Sequence, residues 1–117
     1  MTTREVVAAY LDRLRQHGDW APLLADDITF TSFTSPVRQL IGKDVFLQAT
    51  KRFYSMIVLV DVRDLMVDGA RACALTHYEL EPPGGTRFGS DVAEAFVVEN
   101  GAITSFGIYF DSAPYPK

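Results

Sequence analysis

The feature that most constrains this chain is a pair of β-rich runs, Asp91–Val98 and Ala102–Asp111, joined by Glu99-Asn100-Gly101. Alternating Val, Ala and Phe on either side of a turn signal read as adjacent antiparallel strands. One ionisable residue, Glu94, sits in the middle of the first run. A carboxylate among Val92, Phe96, Phe106 and Ile108 is costly to ionise unless a partner or water reaches it. An acid in such a wall points to a pocket, and it does not name a substrate.

The turn decides which face Glu94 occupies. Asn100-Gly101 suits a two-residue hairpin, and Glu99-Asn100-Gly101 suits a three-residue loop with glycine left-handed. A one-residue slip swaps the faces of one strand relative to the other. The three-residue loop sets Val92 opposite Ile108, Glu94 opposite Phe106 and Ser90 opposite Phe110. It gathers the large apolar residues on one face around a single acid, and it is the expected register. The other face then carries Ala93, Ala95, Val97, Ser105, Gly107 and Tyr109. No helix remains to cover that flat surface, so a homodimer through the outer sheet face is expected.

With 117 residues, the chain (1–117) is expected to be a single domain with one core. Its hydrophobic content of 48% is enough to offset chain entropy, which excludes disorder. A net charge of −4, with no basic stripe, argues against nucleic acid as a partner. The longest apolar run, Met56–Val60, is too short to span a bilayer. No apolar signal segment opens the chain, so a cytoplasmic location and no membrane partner are expected. Cys73 is alone, which excludes an internal disulfide, and it is expected to be a small buried residue. The two histidines, His17 and His77, lack metal-ligand spacing, so neither a metal nor a cofactor is expected.

Thr2-Thr-Arg-Glu5 is a capping box, followed by Val6, Val7, Tyr10, Leu11 and Leu14 at helical spacing. Gly18 is the expected stop. Pro22-Leu-Leu-Ala predicts a short second helix, and Ile28–Phe33 a strand closed by Ser35-Pro36. A third helix follows Gly42-Lys-Asp44, with Val45, Phe46, Ala49, Phe53 and Met56 as its buried stripe. A four-stranded antiparallel meander begins at Val58. Asp68-Gly69 is its first hairpin turn, pairing Val62 with Leu75, Val60 with His77 and Val58 with Glu79. Glu81-Pro-Pro-Gly-Gly85 is a loop, because proline cannot continue a central strand. The tail from Ala113 is extended. About three N-terminal helices over a strongly curved antiparallel sheet make a cone-shaped α+β domain.

This order of elements, with Ile41-Gly-Lys-Asp44, Val98-Glu-Asn-Gly-Ala-Ile103 and Ile108-Tyr-Phe-Asp111, resembles the SnoaL-like branch of the nuclear transport factor 2-like superfamily. The resemblance spans essentially the whole chain and speaks to fold more than to chemistry. The superfamily includes polyketide cyclases, ketosteroid isomerases, limonene epoxide hydrolases, dehydratases and non-enzymatic binding modules. In limonene epoxide hydrolases, charged catalytic residues stand where this chain has Ile108, Leu75 and His77, so that chemistry is not expected here. The same comparison implies that His77, Val92, Glu94, Ile108 and Phe110 face a cavity.

Glu94 and His77 are the candidate catalytic residues, as a carboxylate–imidazole pair that moves protons. The candidate ligand-binding wall comprises Val60, Leu75, Glu79 and Val92 with Phe96, Phe106, Ile108 and Phe110. Trp20, Phe30 and Tyr54 are expected to close it from the helical side. A bland reading stands beside this one, in which Glu94 is locked in a structural pair with His77, Arg63 or Arg87. Tyr78 and Tyr109 are expected on the outer face, and Asp111 as an end cap. Two functions remain open. One is a small-molecule-binding protein acting as a cofactor-free isomerase, cyclase or lyase on a hydrophobic carbonyl compound. The other is a non-catalytic ligand-binding or dimerisation module.

Overall fold

A computed structural model of the chain describes residues 1–34 and 36–116, so the expected strand end at Ser35 lies outside the described residues. Helix α1 spans Thr3–Arg15. The Thr2 hydroxyl accepts from the Glu5 N–H at 3.1 Å, while Glu5 Oε1 accepts from the Thr2 N–H at 2.9 Å. Val6, Val7, Tyr10, Leu11 and Leu14 are all buried, as their spacing predicts. The stop differs from expectation. His17, not Gly18, takes the left-handed conformation at φ 54°. The Gly18 N–H then reaches back to the Arg13 carbonyl at 2.7 Å, closing a Schellman cap.

The expected second helix is a single 3-10 turn, Ala21–Leu23, holding Pro22. The chain passes directly into β1 (Leu24–Ser32) and then β2 (Arg38–Ile41), an edge strand with no clear signal in the sequence. Helix α2 spans Lys43–Ser55. Phe46 is buried in it and Phe53 partly buried, whereas Val45 and Ala49 are exposed. The stripe is narrow because α2 rests mainly on β1 and β2, at one side of the sheet, with Phe46 and Phe53 reaching Phe106 and Tyr78. Four long strands follow: β3 (Ile57–Asp68), β4 (Arg71–Leu80), β5 (Phe88–Glu99) and β6 (Ala102–Phe110).

All six strands form one sheet in the order β2-β1-β6-β5-β4-β3. The expected α+β architecture stands, with one refinement: β1 runs parallel to β6, so the sheet is mixed. Both helices lie on the same side of it. α1 packs on β3 to β6 and α2 on β1 and β2.

Two turns differ from their expected form. Asn100 and Gly101 both have positive φ, 52° and 77°, and Glu99 pairs with Ala102, which is a two-residue turn. Alone, that turn would mix the faces. A bulge between Val97 and Val98 in the ladder leaves Thr104 as an extra residue, and the pairing becomes Phe96↔Phe106, Glu94↔Ile108 and Val92↔Phe110. Face parity is thereby restored. The expected faces of β5 and β6 hold, although each partner is displaced by two residues.

The second difference overturns an assignment. The β3–β4 turn is Gly69-Ala70, closed by Asp68↔Arg71, not Asp68-Gly69. His77 now stands opposite Asp61, and Tyr78 opposite Val60. In β4 the buried set is Ala72, Ala74, Thr76, Tyr78 and Leu80. Leu75, His77 and Glu79 therefore face outward, contrary to expectation, while Tyr78 faces inward. The physical reason is a choice between alternating sets. Burying Tyr78 and Leu80 is favourable, whereas the other set would bury an imidazole and a carboxylate. Bulges at Val58 and Arg63 let β3 follow, keeping Val60 and Val62 opposite Tyr78 and Thr76.

Candidate functional site

Between α2 and the sheet lies a cavity of about 570 Å³. Phe30, Phe106, Ile108 and Phe110 form its apolar floor, and Phe53 and Tyr54 of α2 form its roof. Its size and character suit a small organic molecule. Among the lining residues Glu94 is the one acid and Arg38 the one cation.

Glu94 is 2% exposed, fixed on the central strand β5. The Tyr78 hydroxyl donates to its Oε2 at 2.8 Å. Its Oε1 is buried without a hydrogen-bond partner. The Thr76 hydroxyl lies close enough to favour the charged form, but outside hydrogen-bonding geometry. Burial dominates these two polar neighbours and pushes the carboxyl up to about 7. None of the ion pairs among the described residues involves Glu94. Arg63 binds Asp61 and Asp91 at 3.4 and 3.6 Å, and Arg87 binds Glu79 at 3.3 Å. The locked pair of the bland reading, Glu94 with His77, Arg63 or Arg87, does not form.

A second pair of hydroxyls joins the site. Tyr10 Oη and Tyr54 Oη lie 2.5 Å apart. Tyr10 is fully buried and has no other hydroxyl partner among the described residues. Its proton is best satisfied on Tyr54, which leaves the Tyr54 hydroxyl proton free for a second acceptor. Burial raises the pKa of Tyr10, Tyr54 and Tyr78, so all three stay neutral donors.

The expected site residues divide into three groups. Phe30, Tyr54, Val92, Glu94, Phe106, Ile108 and Phe110 line the cavity. Trp20, Val60 and Phe96 belong to the core instead. Trp20 packs behind Tyr54 at a centroid distance of 4.3 Å and supports the wall from outside. His77, Leu75 and Glu79 lie on the opposite face, so His77 cannot exchange protons with Glu94 through a common ligand. His77 Nδ1 is 2.7 Å from Asp91, and its Nε2 is 2.5 Å from Glu79. A neutral imidazole has only one N–H, so both contacts are satisfied by the imidazolium. Asp91 first and Glu79 second raise its pKa accordingly.

Sequence reasoning missed Tyr78, Arg38, Leu40 and Tyr115. Tyr78 was assigned to the wrong face, and Arg38 and Leu40 arrive on the unforeseen β2. Tyr115 belongs to the tail, which folds back onto the wall. Its hydroxyl meets Ser90 Oγ at 2.8 Å, and its ring packs on Phe110 at 5.3 Å. Asp111 does act as an end cap, accepting from the Ala113 N–H at 3.0 Å. Cys73 is half-buried on the outer face, more open than expected.

Among the described residues, no cluster of three or more His, Cys, Asp or Glu is arranged to hold a metal ion. No helix there is long and apolar enough to cross a membrane.

A mixed sheet hollowed beneath two helices, with one acid sunk in an apolar cavity, defines a class of α+β pocket proteins. The chain belongs to the SnoaL-like domain family, which matches residues 7–106. Among solved structures it is similar to a nuclear transport factor 2-like protein from Burkholderia thailandensis. That match has a TM-score of 0.82 and 17% identity, covering 97% of this chain and 94% of the other. A candidate SnoaL-like polyketide cyclase from Jannaschia sp. gives a TM-score of 0.80 at 13% identity, covering 98% and 93%. A protein of ketosteroid isomerase-like fold from Catenulispora acidiphila, bound to trimethylamine, gives 0.77 at 20% identity, covering 94% and 88%. At these identities the likeness is one of fold. Among curated protein sequences no match was found.

Proposed function

We propose that the cavity binds a small hydrophobic carbonyl compound and that Glu94 is its proton acceptor, in a cofactor-free isomerase, cyclase or lyase reaction. The observation carrying this reading is Glu94, an acid that lines the cavity and whose Oε1 is buried without a hydrogen-bond partner. A carboxyl held near 7 is half-ionised at neutral pH, which suits both taking and returning a proton. In the proposed step, Oε1 takes the proton from the carbon next to the carbonyl, and the C–H pair moves into the enolate. The Tyr54 hydroxyl donates to the developing oxyanion, and the Tyr78 hydroxyl holds the carboxyl in place. Returning the proton to a different carbon completes an isomerisation. Expulsion of a leaving group completes an elimination.

One observation favours the non-catalytic alternative. With His77 on the outer face, the cavity has a single group that titrates near neutrality. The two readings separate in a screen of aromatic and steroid-like ketones for thermal stabilisation, followed by deuterium wash-in at the α-carbon. Wild type and Glu94→Gln should both be stabilised by a ligand, with exchange at least about 100-fold slower in the variant. Equal exchange rates would leave a binding module, and no stabilisation by any ketone would remove the ligand.

A homodimer through the outer sheet face belongs to the same reading. That face exposes Met66, Leu75 and Tyr109, with Ala95 between them. Such a surface is more apolar than a monomer ordinarily leaves to water.

A further inference from the structure

The two charged residues of the cavity are not neighbours, and the sheet register fixes their relation. Arg38 on β2 stands opposite Ser32 on β1. Ser32 pairs with Ile108 on β6, and Ile108 with Glu94 on β5. The four residues make one row across four strands, and all four line the cavity. Three strand spacings of about 4.8 Å separate the ends, roughly 14 Å between backbones. Glu94 is at the buried end and Arg38 is exposed at the other, so the row runs from interior to rim.

Neither end is neutralised. Among the described residues no carboxylate pairs with Arg38 and no cation pairs with Glu94. Between them the wall is apolar, contributed by Ile108 and flanked by Phe106 and Phe110. We infer that the cavity takes an elongated, mostly apolar carbonyl compound carrying a carboxylate at its far end, with Arg38 binding that carboxylate at the rim. This rests on the proposed role of Glu94 and adds to it the polarity and direction of the substrate. The charge layout permits one orientation. A carboxylate at the inner end would meet the Glu94 carboxyl in a medium that screens poorly, whereas at the rim it meets a guanidinium fork matched to its two oxygens. Entering carbonyl-first, the ligand brings its reacting carbon to Oε1 while its head stays in water-accessible contact with Arg38.

The test compares 4′-acetylbiphenyl-4-carboxylate with neutral 4-acetylbiphenyl, measuring Kd by calorimetry at about 50 mM and about 300 mM salt. The carboxylate should bind about two- to fivefold more tightly at low salt, as a rim ion pair allows, and lose that margin at high salt. Arg38→Gln should abolish the margin and leave the neutral ketone within about twofold of wild type. Arg71→Gln, an equal charge change on the outer face, should leave both unchanged. If the neutral ketone binds but the carboxylate gains nothing, or Arg38→Gln weakens both alike, the inference falls and the Glu94 reading survives. If neither compound binds, the ligand cavity itself is refuted and the inference with it.

Discussion

Glu94 shows how one buried side chain links stability to chemistry. Its carboxyl stands at about 7 when folded against an ordinary 4.5, so the folded protein holds a proton that the unfolded chain has released between those values. The sign follows from linkage: the stabilisation is complete below about 4.5 and is lost as pH rises through about 7. The difference amounts to about 3 kcal/mol. Urea unfolding at about pH 5 and about pH 8 should therefore show wild type losing roughly that much relative to Glu94→Gln. His77 drifts in the same direction but is present in both proteins, so the comparison isolates Glu94. Parallel pH profiles would mean that water reaches the carboxyl. The residue was legible in the sequence because an acid inside an apolar run is a local anomaly. Its partner was not, because Tyr78 lies 16 positions away on another strand.

At the scale of elements, the turns decide which side chains meet. Gly101 has φ 77° in open space, so Gly101→Ala strains the backbone without any steric collision. It should cost about 1 kcal/mol in urea midpoint analysis, and a change within a few tenths would show that the turn tolerates a Cβ. Thr104 is the more consequential residue, for it supplies the bulge that returns Phe106, Ile108 and Phe110 to the cavity face. Its hydroxyl donates to the Val97 carbonyl at 3.3 Å and to Glu99 Oε1 at 3.1 Å. The start and the buried face of helix α1 were readable in advance, since its capping box and apolar stripe are interactions within a few residues. The β4 face was misread because a turn shifted by one residue is nearly invisible in sequence, yet it exchanges His77 for Tyr78. The apolar alternation of Ala72, Ala74, Tyr78 and Leu80 was the better guide to that face.

For the whole molecule, the helices cover one side of the sheet and leave the other side uncovered. Phe33 stacks on Tyr109 at 4.7 Å over Gly107, where a Cβ would come within 2.7 Å of the Phe33 ring. Tyr109 is 56% exposed there. The dimer proposed through this face predicts that wild type sediments as a dimer at micromolar concentration and Tyr109→Arg as a monomer, with the ketone-induced thermal shift retained. A wild-type monomer, or a variant that remains dimeric, would move the interface elsewhere.

The amino-acid sequence alone determined the α+β class, the first helix, the meander of long strands and the presence of an acid in an apolar wall. Each follows from patterns spanning a few residues, or from which groups water rejects. Only the tertiary structure decided that β1 runs parallel to β6, that β2 brings Arg38 to the rim, and that the imidazole turns outward while a phenol turns in. Those outcomes depend on pairing between distant segments, where a single bulge or a one-residue shift in a turn reassigns a whole face, and no local pattern fixes that choice.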